Sequence, residues 1–212
     1  MVIILDLGGV LMRHNMPECL ARFERLLGNE QMAQVLGLQS NAEGTLDSLV
    51  DKYEKGDIST DTFVDTILAH SYEGATHEEV VAAWNSMHGG IPEERLQLIW
   101  QWADAGHHLY MLSNNNDLHW HHVFSHYDLS MFRHCYASHL LHLAKPDPRI
   151  YQAVDQAIRA QEGLQETPQL HEALVDNHPF YFVDDLEANR LPAEQLGWRT
   201  FASLDELAPI VG

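Results

Sequence analysis

The sequence feature that most constrains the fold is the apolar run from Val2 to Leu11, which is broken by Asp6 and two glycines. A short apolar run that ends at glycine is typical of a strand buried on both faces of a parallel sheet. Ligands bind beyond the carboxyl ends of such strands. The segment therefore predicts an α/β fold with Asp6 at a candidate site. A turn-forming or helix-capping role for Asp6 is an equal alternative on this segment alone.

Composition bounds the class of protein and its partners. The 212 residues suffice for one core domain that carries a smaller insertion, and 45% hydrophobic with 20% charged residues is the balance of a globular protein. Lys and Arg number 12 against 31 Asp and Glu, which gives a formal net charge of −19. Such a surface repels nucleic-acid phosphates and anionic lipids. We therefore expect neither nucleic acid nor a membrane as a partner.

The cysteines and the apolar segments predict a cytoplasmic location. The two cysteines, Cys19 and Cys135, are far apart and lack metal-type spacing, so we expect two reduced, buried thiols. The amino-terminal run has no basic leader. No apolar stretch approaches the roughly 20 residues that span a bilayer.

Between Met12 and Met87 the pattern is helical, with no clear strand. Amphipathic spacing predicts helices over 17–27 and 46–55. Ser59 can cap a further helix, and the capping-box residues that begin at Thr76 open another. The block therefore predicts a helical insertion within an α/β core, with hinges near 13–16 and 89–90.

Strands and helices alternate again from Ile91, and polar residues directly follow two of the strands that this pattern predicts. Ser113 and Asn114 follow the strand 108–112, and Asp184 and Asp185 follow the strand 179–183. A proline-stiffened loop carries Lys145; Ser, Asn and a loop lysine are individually weak signals. Adjacent carboxylates repel each other unless a cation or proton is present, so the pair Asp184-Asp185 favours a metal site. Further strands are predicted at 134–138 and 198–201.

The four ordered motifs together are typical of a known family. They are Asp6-Leu-Gly-Gly-Val-Leu11, Leu112-Ser-Asn114, Lys145-Pro-Asp-Pro-Arg-Ile-Tyr151 and Phe182-Val-Asp-Asp-Leu-Glu-Ala-Asn189. Over essentially its whole length the chain resembles haloacid dehalogenase (HAD) superfamily hydrolases of subfamily I. Within them it is most similar to the branch of glucose-1-phosphate phosphatases and the phosphatase domain of soluble epoxide hydrolases. The resemblance implies a Rossmann-like doubly wound parallel sheet over 1–13 and 88–212 and an α-helical cap domain over 14–87.

The same resemblance implies a Mg²⁺-dependent phosphatase that acts on a small phosphorylated metabolite, such as a sugar 1-phosphate. Asp6 would be the catalytic nucleophile and would form an aspartyl-phosphate, a role that suits a carboxylate. Ser113, Asn114 and Lys145 would bind the phosphoryl group. Mg²⁺ prefers oxygen ligands, and Asp6, the Gly8 carbonyl and Asp185 would supply them. Asp184 would orient Lys145 or a bound water; which of the two neighbouring acids binds the metal directly stays open.

One position departs from the family pattern. Most phosphatases of the superfamily carry a second aspartate two residues after the nucleophile as general acid and base, but this chain has Gly8 there. General acid catalysis contributes about 10²- to 10⁴-fold, so its absence disfavours poor leaving groups. The glucose-1-phosphate branch also has glycine here, and an anomeric hydroxyl is a better leaving group than an ordinary alcohol. His14 is a candidate replacement acid, although an exposed loop histidine is the simpler interpretation.

Three alternatives stay open at this stage. A haloacid-type dehalogenase would also use Asp6 but has no need of the Asp184-Asp185 pair. A non-catalytic regulatory protein would explain Gly8 but not the intact Asp6, Lys145 and Asp185. His119, His122 and His126 lie at helical spacing, with His121 nearby, as a remote possibility for a zinc site. The sequence predicts neither the substrate nor whether the protein is a monomer or a homodimer.

Overall fold

The structure is a computed structural model and describes residues 1–36, 48–164 and 180–212. Within them the chain forms five strands, and all of them belong to one sheet. The strands are β1 Val2–Leu5, β2 His108–Ser113, β3 Phe132–Ala137, β4 Phe180–Val183 and β5 Arg199–Phe201. The helices are α1 Met16–Leu27, α2 Asn29–Val35, α3 Leu49–Glu54, α4 Thr60–Leu68, α5 His77–Asn85, α6 Glu93–Asp104, α7 Asp117–His126, α8 Ser138–Leu141, α9 Pro148–Gln161, α10 Glu187–Gln195 and α11 Leu204–Val211.

The sheet is parallel throughout and has the strand order β3-β2-β1-β4-β5. The first strand is central, with Leu5 paired to Met111 on one side and to Val183 on the other. The carboxyl ends of β1, β2 and β4 consequently meet at one edge. This architecture confirms the predicted Rossmann-like α/β core with inserted helices.

Side chains of the central strand enter two hydrophobic clusters on opposite faces of the sheet. Ile3 and Leu5 pack in a cluster with Met111, whereas Ile4 packs in the other with Phe182. These three side chains of β1 are fully buried, whereas Val2 at the start of the strand is partly exposed. Burial on both faces explains why the strand is continuously apolar rather than alternating.

Helices α1 to α5 lie between β1 and β2, and we call residues 14–87 the inserted helical segment. Its described residues pack around a hydrophobic cluster of their own, with Phe63 between Tyr53 and Trp84. The predicted caps are present: Ser59 accepts a hydrogen bond from the Thr62 amide, and Thr76 forms a capping box. The predicted helix over 46–55 begins at Leu49; its first two positions lie outside the described residues.

The two chain crossings between the inserted helical segment and the sheet are paired with each other. Backbone hydrogen bonds join the Arg13 amide to the Gly90 carbonyl at 2.9 Å and the Asn15 amide to the Met87 carbonyl at 2.6 Å. His14 lies opposite His88 in this short antiparallel pair. The pairing fixes the backbone at the predicted hinge positions.

Other boundaries differ from the sequence prediction by one or two residues. The third strand begins at Phe132 rather than at 134, because its first residues complete the core beneath α7. The helix after Lys145 begins at Pro148 because the Asp147 carboxylate caps it through the Arg149 amide. Cys19 and Cys135 are free thiols, as predicted; Cys19 is buried, but Cys135 is only partly buried, contrary to the prediction, because it lies on the edge strand β3. Within the part of the chain that the structure describes, no helix combines the length and apolar character needed to cross a bilayer.

Candidate active site

The sheet brings the sequence-predicted carboxylates together at the carboxyl edge of β1 and β4. The Asp6 amide donates to the Val183 carbonyl at 2.9 Å, which continues the strand ladder by one residue and sets Asp6 beside Asp184. Asp6 and Asp184 are buried, whereas Asp185 is exposed. One carboxylate oxygen from each of the three residues lies within 4.8 Å of the others.

Lys145 is the cation of this site. Its side chain is only 1% exposed, and Nζ contacts Asp6 Oδ1 at 3.0 Å and Asp184 Oδ2 at 2.6 Å. Nζ also donates to the Leu112 carbonyl at 3.0 Å. The loop lysine that the sequence singled out therefore lies in the site. Its buried ammonium is stabilised by two carboxylates and one carbonyl, as a buried charge requires.

Asn114 holds the backbone of that lysine. Its Nδ2 donates to the Lys145 carbonyl and its Oδ1 accepts from the Lys145 amide, both at 2.8 Å. Both polar atoms of the Asn114 side chain are therefore engaged with the lysine loop. The neighbouring Ser113 is buried, and its hydroxyl makes only a long 3.2 Å hydrogen bond to the Asn114 carbonyl.

The two neighbouring acids differ in how their carboxylates are used. Asp184 accepts hydrogen bonds from Lys145, from the Leu186 amide at 3.0 Å, and from Asn189 Nδ2 at 3.0 and 3.1 Å. No described residue donates a hydrogen bond to the Asp185 carboxylate. Asp185 therefore has free oxygens for a ligand, while those of Asp184 already serve to position Lys145.

Gly9 lets Asp185 approach the turn that follows β1. Gly9 has φ +74°, and a Cβ built on it would overlap the Asp185 carboxylate. Only glycine supplies both this left-handed backbone and this close approach without strain. The donor set at this edge consists of hard carboxylate oxygens, which is the chemistry that suits Mg²⁺ rather than a soft metal.

The environment of Asp6 keeps its carboxyl poorly solvated. Burial, with a smaller contribution from the Asp184 charge, outweighs the opposing Lys145 charge and raises the pKa of Asp6 to about 6. The Leu7 amide donates to Asp6 Oδ1 at 2.7 Å. A carboxylate with so little water around it is less shielded as a nucleophile, and a neighbouring cation favours its charged form.

His14 occupies the space next to Gly8. A Cβ built on Gly8 would lie 2.7 Å from His14 Nε2 and 2.8 Å from its Cε1. The imidazole therefore fills the place into which a side chain on residue 8 would project. The antiparallel pair at the chain crossings fixes the backbone of His14 in this position.

The histidines of α7 give no support to a zinc site. His119 is buried, with Nε2 near the Trp84 carbonyl at 3.0 Å and Nδ1 near Asn116 Nδ2 at 3.2 Å. Burial lowers the pKa of His119 to about 3. Among the described residues, the only group of three potential metal ligands is Asp6, Asp184 and Asp185. His119 is a core residue that joins α5 to α7.

Sequence reasoning left several residues of the site without a role. Asn189 is the main partner of Asp184, and its position one helical turn beyond the acid pair was the available signal. Ser138 accepts from the Asn115 amide at 2.9 Å and thereby holds the loop after β2. Nothing in the sequence marks Ser138, because the contact joins residues 23 positions apart.

Comparisons with known proteins bear on the family. No family model matches this chain. A HAD family enzyme from Bacteroides thetaiotaomicron, solved in complex with magnesium and inorganic phosphate, is 28% identical to it with a TM-score of 0.71, over 94% of this chain and 92% of that one. The chain belongs to the haloacid dehalogenase superfamily. It is therefore a hydrolase with the fold of that superfamily.

Two more distant structures agree with this HAD superfamily fold. A HAD-like family hydrolase from Porphyromonas gingivalis is 23% identical with a TM-score of 0.73, over 99% of this chain and 97% of that one. The L-2-haloacid dehalogenase from Xanthobacter autotrophicus is 13% identical with a TM-score of 0.55, over 94% of this chain and 75% of that one. At these identities the likeness concerns the fold alone.

Proposed function

We propose that this HAD superfamily hydrolase is a Mg²⁺-dependent phosphatase for a small phosphorylated metabolite. The observation that carries the proposal is the convergence of Asp6, Asp184 and Asp185 within 4.8 Å, with Lys145 bonded to the first two. The magnesium and phosphate bound to the Bacteroides thetaiotaomicron enzyme support it. The donor chemistry fits: Asp6, Asp185 and the Gly8 carbonyl would hold the ion, which supplies charge neutralisation for the phosphoryl oxygens.

The residues of the chain divide the work of phosphoryl transfer. Asp6 attacks phosphorus, the P–O bond to the leaving alcohol breaks, and the alcohol oxygen takes up a proton from water. Water then hydrolyses the aspartyl-phosphate, which releases inorganic phosphate and restores the Asp6 carboxylate. Lys145 stabilises negative charge on the phosphoryl oxygens and on Asp6. The Ser113 hydroxyl and the Asn114 backbone amide bind phosphoryl oxygens, because the Asn114 side chain is occupied by the lysine loop. Asp184 positions Lys145.

The inserted helical segment, residues 14–87, acts as the cap domain over a core of residues 1–13 and 88–212. It contacts the loops at the carboxyl edge of the sheet: the Leu118 amide donates to the Tyr53 hydroxyl at 3.1 Å, and Trp84 donates to Asn116 at 3.1 Å. A cap in this place faces the leaving group of a phosphate ester. With Gly8 in place of an acid, we propose a sugar 1-phosphate, whose anomeric oxygen leaves readily.

A haloacid dehalogenase is the second candidate, since structures of that activity share the fold. The exposed Asp185 carboxylate, which faces Asp6 and has no partner among the described residues, favours the phosphatase, because dehalogenation has no use for a cation site. A screen of phosphorylated metabolites and 2-haloacids, each with Mg²⁺ and with EDTA, tests the choice. We expect phosphate release that EDTA abolishes. EDTA-insensitive halide release would establish the dehalogenase instead.

Because Asp185 is proposed to bind Mg²⁺ and Ser113 is proposed to bind phosphate, substitutions at the two positions should differ in their effect on the Mg²⁺ requirement. We expect Asp185→Ala to raise the Mg²⁺ concentration for half-maximal activity by about 10-fold or more, and Ser113→Ala to lower kcat with little change in that concentration. Gly9→Ala should resemble Asp185→Ala, because its Cβ displaces the Asp185 carboxylate. Magnesium titrations of phosphatase activity measure all three. Equal shifts in Asp185→Ala and Ser113→Ala would contradict the assignment.

The space between Gly8 and His14 predicts how a restored acid behaves. Gly8→Asp alone should gain little, because the new side chain meets the His14 ring at 2.7 Å. The double variant Gly8→Asp/His14→Ala should raise kcat/KM for alkyl phosphates by about 10-fold or more and leave aryl phosphates nearly unchanged, because a general acid helps most where the leaving oxygen is most basic.

A leaving-group series measured in the wild type, both single variants and the double variant checks this prediction. His14→Ala by itself should lower kcat/KM for alkyl phosphates most if the imidazole serves as the acid. A mutant-to-wild-type ratio that stays flat across leaving-group pKa in the folded double variant would show that Gly8 does not limit the substrate range.

A further inference from the structure

Glu54, at the end of α3, is a carboxyl for which the proposed reaction has no use. Its backbone is hydrogen-bonded to the core next to the loop that follows β2. Ser138 Oγ donates to the Glu54 carbonyl at 2.5 Å and accepts from the Asn115 amide at 2.9 Å. A single hydroxyl therefore links Glu54 to the residue that follows Ser113 and Asn114. The end of α3 lies at the site and not at the far side of the inserted segment.

The residues after Glu54 reinforce this contact with the core. His142 Nδ1 lies 3.1 Å from the Lys55 carbonyl, and Gly56 packs directly against the His139 carbonyl at a point where a Cβ would overlap it. Three successive residues of the inserted segment thus contact α8 and the loop that follows it. The position of Glu54 is consequently set by the core, which reduces its freedom to move away from the site.

The Glu54 carboxyl has no countercharge among the residues that the structure describes. No described residue donates a hydrogen bond to it. The undescribed stretches 37–47 and 165–179 contain neither Lys nor Arg, so every ammonium and guanidinium of the chain lies in the described residues, where none pairs with Glu54. Burial and the charges of Asp51 and Asp6 raise the pKa of Glu54 to about 7. An unpaired, partly buried acid costs stability, and such groups are typical of ligand-binding sites.

The in-line geometry of phosphoryl transfer indicates on which side of the site the leaving group lies. Asp6 and the leaving oxygen lie roughly in line on opposite sides of phosphorus. Asp6 lies at the carboxyl edge of the sheet, and the inserted helical segment contacts the loops of the same edge, so we expect the leaving group to face that segment. Resting on the phosphatase function, we propose that Glu54 determines leaving-group specificity: its carboxyl binds hydroxyl groups of an uncharged leaving group and repels one that carries a second negative charge.

This assignment names the substrate class as phosphate esters of neutral polyhydroxyl compounds. A carboxyl accepts hydrogen bonds from sugar hydroxyls, and hydrogen bonds to a charged group are the stronger kind. Placing a like charge against a competing ligand is a common basis of specificity.

A matched pair of esters tests the inference: glucose 1-phosphate and glucuronic acid 1-phosphate share the anomeric leaving oxygen and differ by one carboxylate. At about pH 8.5, above the raised pKa of Glu54, its carboxyl is ionised, and wild type should prefer the neutral ester. In Glu54→Gln, which keeps the size of the side chain, the ratio of kcat/KM for the anionic over the neutral ester should rise by about 10-fold or more. Glu54→Ala should in addition raise KM for glucose 1-phosphate by about 10-fold, because the hydroxyl contacts are lost.

Two variants serve as controls. Asp57→Asn makes the same change of charge at an exposed residue three positions away and should leave the ratio unchanged. Glu54→Asp keeps the charge and should keep the wild-type preference. Turnover of 4-nitrophenyl phosphate shows that each variant retains its fold and chemistry, and phenyl and carboxyphenyl phosphate provide the same comparison if neither sugar ester is hydrolysed.

The outcomes separate the two proposals. If wild type releases phosphate from no ester, including 4-nitrophenyl phosphate with Mg²⁺, the phosphatase function itself is wrong. If it is an active phosphatase but the ratio in Glu54→Gln equals that of wild type and Asp57→Asn, the role of Glu54 is wrong. A wild type that hydrolyses neutral and anionic esters equally well also overturns it.

Discussion

Asp6→Asn should abolish phosphate release, with kcat/KM reduced by at least about 10³-fold, because the amide that replaces the nucleophile is nearly isosteric but does not attack phosphorus. The fold should survive, since an amide oxygen still accepts the 2.7 Å hydrogen bond from the Leu7 amide. Phosphate release measured with saturating Mg²⁺, beside a thermal unfolding curve, checks both expectations. Full activity in Asp6→Asn would exclude the aspartyl-phosphate mechanism.

The same variant should be more stable than wild type in the absence of metal. The folded pKa of Asp6 is raised from 3.8 to about 6, so the native state holds a proton that the unfolded chain releases as pH rises through that interval. Wild type therefore loses stability between about pH 4 and pH 6, on the order of 3 kcal/mol, and Asn at this position avoids the loss. Urea unfolding at pH 4 and pH 7.5 should show an advantage only at the higher pH.

Lys145→Met should damage both activity and stability. It removes the Nζ contacts at 3.0 Å to Asp6 and 2.6 Å to Asp184, and it leaves two buried carboxyls without their countercharge. Breaking a buried ion pair from one side typically costs about 3–5 kcal/mol, and loss of one electrostatic contact to the transition state costs about 10²- to 10³-fold in kcat. Denaturant unfolding and phosphate release measure the two effects.

The pH dependence distinguishes this cause from a general packing defect. Without the lysine the pKa of Asp6 rises further, so the stability deficit of Lys145→Met should be larger at pH 8 than at pH 5. Lys52→Met, at a lysine of α3 outside the site, is the matched control and should change neither property. A deficit of equal size at both pH values would show that the lysine acts through packing alone.

The sequence by itself determined the fold class and the principal acids. A strand buried on both faces must be continuously apolar, so β1 and β4 are visible as short runs, and the carboxylates after them are visible as interruptions. The helical insertion could also be predicted from the sequence, because the side chains of Ser59 and Thr76 cap the helices that directly follow them. These signals come from interactions between residues that are close in the sequence, so a local sequence pattern is enough to predict them.

Tertiary structure alone decided how those groups are used. Whether Asp184 or Asp185 has free oxygens depends on Lys145 and Asn189, which reach Asp184 from elsewhere in the fold. The position of Glu54 beside the site depends on the packing of α3 against α8. The space filled by His14 likewise depends on the pairing of two distant crossings. Hydrogen bonds and charge pairs between distant segments depend on how the chain folds in three dimensions, and the spacing of residues in the sequence does not predict them.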